Sequence, residues 1–365
     1  MLSTPGGSLL LFTTLHLERQ YMKIVILGGA GEPEFSSNKG LIYAFRILGH
    51  DVISIGPGYF NRYEADILLL DRPHIEYYSY GEVLSKLPWV PDLALCIEPH
   101  GFYQGPKPPE LISALVATDA HRAGILYYKV LLAGEYNYFF CGQPYFAPLY
   151  RDIPNTLVYI LPPAFDDRRF IKGLSTPPKA DISFVGQTGI AEMEFPYEDD
   201  VGRYAKNPPV GLPTDTRRYA FSGHPGFDYC ERAEILIRLC KDFNVRMYDQ
   251  VWDPVKFQKA IQSGVIGFNR SLLNDISIRN FEVMAARRLL IKDDPGGWFS
   301  ENGFHSPAYK SYFKPFFLNF DLDYKEIYQK IKRALEYAHL REEMAEHDFN
   351  LVWEKHTWRH RAQTL

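Results

Sequence analysis

The chain has 365 residues, 46% apolar and 23% charged: an ordinary globular composition, long enough for two domains that each bury a core. A formal net charge of −4 excludes a nucleic-acid binder held by a general basic face. No apolar run approaches the ~18 residues of a membrane span.

Residues 1–21 contain "SLLLFTTLHLE", a weak likeness to the apolar part of a signal segment. No positive charge precedes it and no small-residue cleavage site follows, so the segment reads as an extension outside the fold of a cytoplasmic protein. "KIVILGG" (23–29) then predicts a buried strand, followed by a glycine-containing loop, a helix near 37–49 and a second strand "HDVISIG" (50–56). Strand-like runs recur at "ADILLL" (65–70), "DLALCI" (92–97), "SALVAT" (113–118), "YNYFFC" (136–141) and "TLVYIL" (156–161), with helical stretches at 76–87 and 122–133. Unbroken apolar strands alternating with helices argue for a parallel sheet covered on both faces.

"PPAFDDRRFIKGLSTPPKAD" (162–181) breaks the pattern with four prolines and a run of charges, and marks a domain boundary. The alternation restarts with strand "ISFVG" (182–186), helix 229–242, strand "VRMY" (245–248), helix 254–263, strand "VIGF" (265–268), helix 275–285 and strand "LLIKD" (289–293). A strand near 316–320, a helix over 323–340 and a closing helix from about 347 complete the prediction. Residues 187–227, rich in Pro, Gly and charge, read as a long inserted loop. The expected architecture is α/β: an extension (1–21), a Rossmann-like domain (22–165), a linker (166–181), a second Rossmann-like domain (182–345) and a closing segment (346–365). Two doubly wound halves would face a cleft.

Cys96, Cys141, Cys230 and Cys240 form no C-x-x-C pair. Cys96 and Cys141 lie inside apolar strands and read as buried thiols in a reducing compartment, with no zinc site. Aromatics make up 15% of the chain, which would suit sugar stacking but is better explained by a well-filled core.

Ligands of open parallel sheets bind outside the carboxyl ends of the strands. That rule selects the loops 28–35, 98–103, 118–121, 186–189, 249–252 and 269–275. The first, "GGAGEPEF", supplies Gly29 and Gly31, but Glu34 stands where the third glycine of a dinucleotide fingerprint belongs, and no acidic residue closes the next strand. Tight-turn glycines or an acceptor-side loop, with Tyr103 from the neighbouring loop, explain it better than NAD or FAD. "ATDAH" places Asp119 and His121 after a strand, and "EPHG" places Glu98 and His100 similarly. A histidine there can serve as a general base, or be a plain surface residue beside a helix cap. "DLD" (321–323) has the form of a metal-binding D-x-D, but directly precedes a helix and reads better as an N-cap.

"DISIRNFEVMAARRLLI" (275–291) holds the densest chemistry. Ile278, Phe281, Met284 and Ala285 form an apolar stripe, with Arg279 and Glu282 on its border, three apart. Asp275 can cap the helix and pair with Arg279, which is the plain structural account. The preceding loop leaves a strand end and enters a helix N-terminus, where backbone N–H groups favour phosphate. Arg270 and Arg279 offer forked donors to a diphosphate, and Glu282 offers acceptors to the vicinal hydroxyls of a ribose.

"NDISIRNFEVMAARRLLIKDD" resembles the helix–strand signature of GT-B glycosyltransferases, specifically the CgeB-like (spore-maturation-protein-like) group with its N-x-R-x-F-E. "FQKAIQSGVIGFNRS" resembles the preceding segment of that group, "DFNVRMYDQVW" its strand-and-Trp segment, "EKHTWRHRAQTL" its closing helix, and "LPPAFDDRRF" the end of its N-terminal domain. The likeness covers about 228–365 well and the first half more loosely. It implies sugar transfer from a nucleotide-sugar co-substrate, without metal or other cofactor, to a glycan, protein or small-molecule acceptor. It puts Glu282 on the donor ribose and Arg279 beside the diphosphate. Arg270, Gly186, Tyr248 and Trp252 lie in the remaining donor-side loops. Many GT-B relatives carry two glutamates eight residues apart; Asn274 holds the earlier position here, so that contact would be lost or made by Asp275. Arg287 stands where a glycine usually follows the helix. The same fold also serves sugar-nucleotide epimerases, and a binding protein without turnover would keep the same cleft.

Overall fold

The computed structural model describes residues 21–27, 37–57, 66–69, 79–97, 107–118, 131–132, 136–144, 146–186, 225–248, 251, 253–270, 276–292 and 324–365. The first half is a seven-stranded sheet in the order β3-β2-β1-β4-β5-β6-β7. Its strands are β1 (Lys23–Leu27), β2 (Asp51–Pro57), β3 (Ile67–Leu69), β4 (Leu93–Ile97), β5 (Ile112–Ala117), β6 (Tyr138–Cys141) and β7 (Leu157–Ile160). Every pairing is parallel. Alternate residues of a strand point to opposite faces. In β1, Val25 and Leu27 join one core cluster with Cys96 and Leu115, while Ile24 and Ile26 join another with Leu95 and Val116. Both faces are therefore buried, which is why the central strands carry no polar alternation. Helices α1 (Ser37–Ile47) and α2 (Tyr80–Leu84) are the described helices of this half.

The second half is a parallel sheet in the order β11-β10-β8-β9, formed by β8 (Ala180–Val185), β9 (Val245–Tyr248), β10 (Gly264–Phe268) and β11 (Leu289–Ile291). Helices α3 (Pro225–Asp242), α4 (Pro254–Gln262) and α5 (Ile278–Ala285) lie between these strands in the chain. Helix α3 begins at Pro225, inside the span expected as loop; residues 187–224, the expected strand near 316–320 and nearly all of the expected helix 122–133 lie outside the described residues. Tyr21, read as part of the extension, donates a hydrogen bond from its hydroxyl to Asp51.

The expected single helix over 323–340 is two helices. α6 (Tyr324–Glu336) stops, Tyr337 leaves helical geometry with φ −99° and ψ 68°, and α7 (Ala338–Lys355) begins. No glycine or proline marks the break, so periodicity does not show it. Arg341 supplies the physical reason: its Nη1 donates to the Ala334 carbonyl at 2.9 Å, satisfying an orphan carbonyl at the end of α6. A short helix α8 (Trp358–Thr364) closes the chain.

Helix α8 packs back on the first half. Trp358 is 2% exposed, in the same cluster as Leu41, Leu95 and Leu161. Arg361 clasps the segment between the sheets, donating to the carbonyls of Pro162 (2.6 Å) and Pro163 (3.0 Å) and, in its own segment, to Lys355 (3.1 Å). Burial pushes its guanidinium down to about 10. A fourth contact, 2.8 Å, joins Arg361 Nη2 to His356 Nδ1. Arginine only donates, so this ring nitrogen accepts and His356 is neutral. Burial first, then the charges of Arg361, His360 and Lys355, push His356 down to about 3. The His356 ring stacks on Phe281 of α5, centroids 5.4 Å apart, and its carbonyl accepts from Phe165 N–H. The closing segment "EKHTWRHRAQTL" thus joins both halves.

Two outcomes are expected. A Cβ at Gly40 of α1 would sit 2.2 Å from Trp358 Cδ1, so Gly40→Ala should overpack the joint and cost about 1–3 kcal/mol in urea unfolding. An unchanged midpoint would show that Trp358 does not seat there. His356 binds its proton more weakly in the folded state than its ordinary 6.5, so its contribution is present above that value and is lost as pH falls toward about 3. Between pH 7 and pH 5 wild type should lose on the order of 2 kcal/mol from this group. His356→Gln, which keeps an acceptor for Arg361 but no proton to gain, should flatten that dependence. Parallel losses in both proteins would point to another group.

Candidate functional site

Helix α5 is short and buried on nearly all sides. Phe281 and Met284 are fully buried, as the apolar stripe requires, but so are Asn280 (0% exposed) and Glu282 (2%). One side joins the second-half core, while Ile278 packs against the cluster that holds Trp358 and Leu161. The helix starts at Ser277, whose hydroxyl accepts from Arg279 N–H at 3.2 Å. Ser277, not Asp275, is therefore the N-cap; Asp275 lies outside the described residues. Asn269, directly after β10, donates from its side chain to the Asn280 side-chain oxygen at 2.7 Å and ties the strand end to the helix.

Glu282 does not face open solvent. Arg169 Nη1 donates to its Oε1 at 3.1 Å, and Arg279 Nη1 lies 2.9 Å from its Oε2. That second contact is a charge contact without hydrogen-bond alignment: among the described residues, Arg279 Nη1 and Glu282 Oε2 are buried with no hydrogen-bond partner. Both arginines flank the Phe257 ring, the Arg169 guanidinium 3.6 Å and the Arg279 guanidinium 4.7 Å from its centroid. Burial holds Arg279 below the usual guanidinium range; Glu282 opposes that shift and the like charge of Arg169 adds to it. Among the described residues, two arginines thus face one carboxylate in a place largely closed to water.

Further positive charge lies at the same edge of the sheet. Arg270 follows β10 and is 6% exposed; Lys292 follows β11 and is 4% exposed. Arg232 of α3 donates to the Arg270 carbonyl at 2.8 Å. Gly186 ends β8 with φ +141°, a conformation that side-chain-bearing residues rarely adopt, and a Cβ built there would lie 3.9 Å from Arg279 Nη2. Its N–H donates to the Tyr248 carbonyl at 2.9 Å, and the Tyr248 side chain packs partly buried on the core around Phe257 and Phe281. Arg169 and Arg279 thus meet at Glu282, while Arg270 and Lys292 stand at the carboxyl ends of two adjacent strands of the same sheet.

The structure brings together Glu282, Arg279, Gly186 and, through its backbone, Tyr248; Arg270 is buried, two residues after β10. Asn274, Asp275, Trp252, Gly29, Gly31, Glu34, Glu98, His100, Tyr103, Asp119, His121, Asp321 and Asp323 lie outside the described residues. Among the described residues no group of three or more His, Cys, Asp or Glu side chains could hold a metal ion. Sequence reasoning missed Arg169, although the tandem arginines of "DDRRF" in an otherwise apolar stretch were its only available sign. It also missed Gln143, which is 1% exposed and bonds to Thr118 of the first half and Ile276 of the second. A lone glutamine after a strand carries no such signal.

Two parallel-sheet Rossmann-like halves, with charge gathered at the strand ends of the second, define the GT-B fold. Residues 220–365 match the family model described as "Glycosyl transferase-like". No curated protein gives a significant match. Among solved structures, sucrose-phosphate synthase from Thermosynechococcus elongatus superposes with TM-score 0.54 at 12% identity, over 94% of this chain and 97% of that one. An alpha-glucosyltransferase in complex with UDP-glucose and DNA gives 0.53 at 12%, over 92% and 95%. An E. coli structure described as "Trehalose-6-phosphate", bound with UDP-2-fluoro glucose, gives 0.51 at 12%, over 93% and 97%. At such identity these likenesses establish the fold.

The buried triad changes what Glu282 substitutions should do. Sequence alone predicts that Glu282→Ala weakens ligand binding with the fold intact. With the carboxylate serving as counter-ion to Arg169 and Arg279, Glu282→Gln should itself cost about 3 kcal/mol of folding stability, because two buried cations lose their partner. A loss below about 0.5 kcal/mol in urea unfolding would remove Glu282 from that role.

Proposed function

We propose that this protein is a glycosyltransferase of the CgeB-like group, moving a sugar from a nucleotide-sugar to an acceptor hydroxyl. The observation that carries the reading is the placement of Arg279 beside Glu282 and close to Gly186 at the strand ends of the second half. A nucleoside diphosphate offers phosphates to such a guanidinium and ribose hydroxyls to such a carboxylate. Its phosphates fit beside Gly186, Arg279 and Arg270 near the N-terminus of α5, the positive end of the helix dipole. Its ribose hydroxyls fit Glu282 Oε2, which among the described residues still has an acceptor position to fill. Asn274, Asp275 and Trp252 complete the donor side in this reading.

The acceptor oxygen attacks the anomeric carbon, the bond from that carbon to the diphosphate oxygen breaks, and the nucleoside diphosphate leaves with the electron pair. Arginines and the helix terminus offset the charge that develops on the leaving group, and no metal or further cofactor is needed. In an inverting course the acceptor proton passes to His121, Asp119 or His100. Gly29, Gly31, Glu34 and Tyr103 belong to the acceptor side. One structural relative is bound to DNA, but a net charge of −4 favours a glycan, protein or small-molecule acceptor here. No described helix is long and apolar enough to cross a membrane, and a cytoplasmic setting accords with the four unpaired-by-motif cysteines.

The test is a thermal-shift panel of UDP, GDP, dTDP, CDP and their sugars, followed by transfer assays with and without EDTA. One nucleotide series should raise the melting temperature, and transfer should persist in chelator. Arg279→Lys, which keeps the charge but loses the fork, should lower turnover roughly tenfold or more. A panel that stabilises nothing sinks the reading. Binding without transfer would make this a nucleotide-sugar binding protein. Activity lost in EDTA and restored by Mn or Mg would contradict metal independence and bring Asp321 and Asp323 back as ligands.

A further inference from the structure

Transfer between two domains requires that the donor carbon and the acceptor-side base be held at a fixed separation. One buried side chain bonds to both sides of that gap. Gln143, two residues after β6 and 1% exposed, donates from Nε2 to the Thr118 carbonyl at 2.7 Å and accepts at Oε1 from Ile276 N–H at 2.6 Å. Thr118 directly precedes Asp119 and stands three residues before His121. Ile276 directly precedes Ser277, the cap of the helix that carries Arg279 and Glu282.

The amide has one possible orientation, because a backbone carbonyl only accepts and a backbone N–H only donates. Its anchor is equally fixed. The Gln143 carbonyl accepts from Phe146 N–H (3.0 Å), Ala147 N–H (3.2 Å) and the Cys141 thiol (3.2 Å). Gly142 lies flush on the end of β5: its N–H donates to the Ala117 carbonyl at 2.7 Å, and a Cβ there would come within 2.8 Å of Thr118 Cα. The strand end, the glutamine and the cap of α5 therefore move as one piece.

We propose that Gln143 is a positioning residue for glycosyl transfer: it sets the distance between the donor helix and the strand end that leads to Asp119 and His121, without touching either substrate. The proposal rests on the glycosyltransferase reading above. It predicts that Gln143 governs turnover rather than donor affinity, since the donor groups lie wholly on the second half.

Gln143→Glu tests it. A carboxylate still accepts from Ile276 N–H but has no hydrogen for the Thr118 carbonyl; a protonated carboxyl has one. At pH 8, kcat should fall about 10–100-fold, the scale of a misplacement near 1 Å. The Kd for the nucleoside diphosphate that stabilises wild type should stay within about twofold. The ratio of variant to wild-type kcat should rise as pH falls. An unchanged kcat, a matching loss of donor affinity, or a flat ratio would overturn the proposal. If Gln143→Glu does not fold, Gln143→Met is measured instead and should show the same split between kcat and Kd; failure of both to fold would make Gln143 structural and overturn it as well. If wild type binds no nucleotide, the glycosyltransferase reading fails and takes this proposal with it. If wild type binds and transfers, the variants alone decide.

Discussion

Glu282 carries a negative charge into a place that water barely reaches, and that charge dictates what surrounds it. A buried carboxylate must be paired, and a single imperfect contact is not enough. Arg279 sits on the same helix but meets Glu282 without hydrogen-bond alignment, so the well-directed bond has to come from elsewhere. It comes from Arg169, 113 residues away, in the segment that joins the two sheets. The route of that segment follows: it must pass close enough to α5 for one guanidinium to reach Glu282, the Val251 carbonyl and the Phe257 ring together. The same pairing fixes the guanidinium of Arg279 beside Gly186 at the end of β8.

Neighbours of Arg169 extend the argument to the other half. Arg168 pairs with Asp166 and stacks over the Tyr43 ring of α1, 4.6 Å from its centroid, and Asp167 meets Arg359 of α8 at 3.4 Å. Consecutive side chains of "DDRR" thus reach the first half, the closing helix and the charged site. Arg361 holds the carbonyls of Pro162 and Pro163 just upstream. Those prolines lack N–H groups and cannot join a strand ladder, yet their carbonyls still need donors. A buried arginine meets that need with five donors spread over a rigid planar fork, where the three donors of a lysine sit on one compact nitrogen.

Much of this was legible in the sequence. Unbroken apolar strands gave the parallel sheets, since a strand covered on both faces has no polar positions to alternate. Gly186 and Arg270 were picked out by their location after strands, a topological rule that needs no contacts, and Arg279 and Glu282 by their three-residue spacing on the border of the stripe and by the resemblance. What stayed hidden depends on contacts between distant residues. The break at Tyr337 is set by Arg341 reaching back to Ala334, and nothing local announces it. Gln143 is polar, single and unremarkable in the chain; only folding brings Thr118 and Ile276 to its two ends. Ser277, directly before the first residue of the apolar stripe, is the cap, and choosing Asp275 for its carboxylate overlooks that hydroxyl.

Arg287 shows how a different residue can keep the physics of a helix ending that usually takes glycine. A glycine at this position would permit a left-handed backbone after the helix. Arg287 adopts that backbone anyway, with φ +58°. Its N–H donates to the Met284 carbonyl at 2.9 Å and that of Arg288 to the Val283 carbonyl at 3.3 Å, the paired bonds of a Schellman ending. A side chain in this conformation costs about 1 kcal/mol, so something must hold it. Arg287 stacks over Phe349 and pairs with Glu346 of α7, while Arg288 donates to the carbonyls of Thr176, Gln262 and Gly264. The turn that delivers the chain from α5 into β11 is therefore over-determined by its neighbours. The path of the backbone, not the identity of the residue, is what the end of this helix requires.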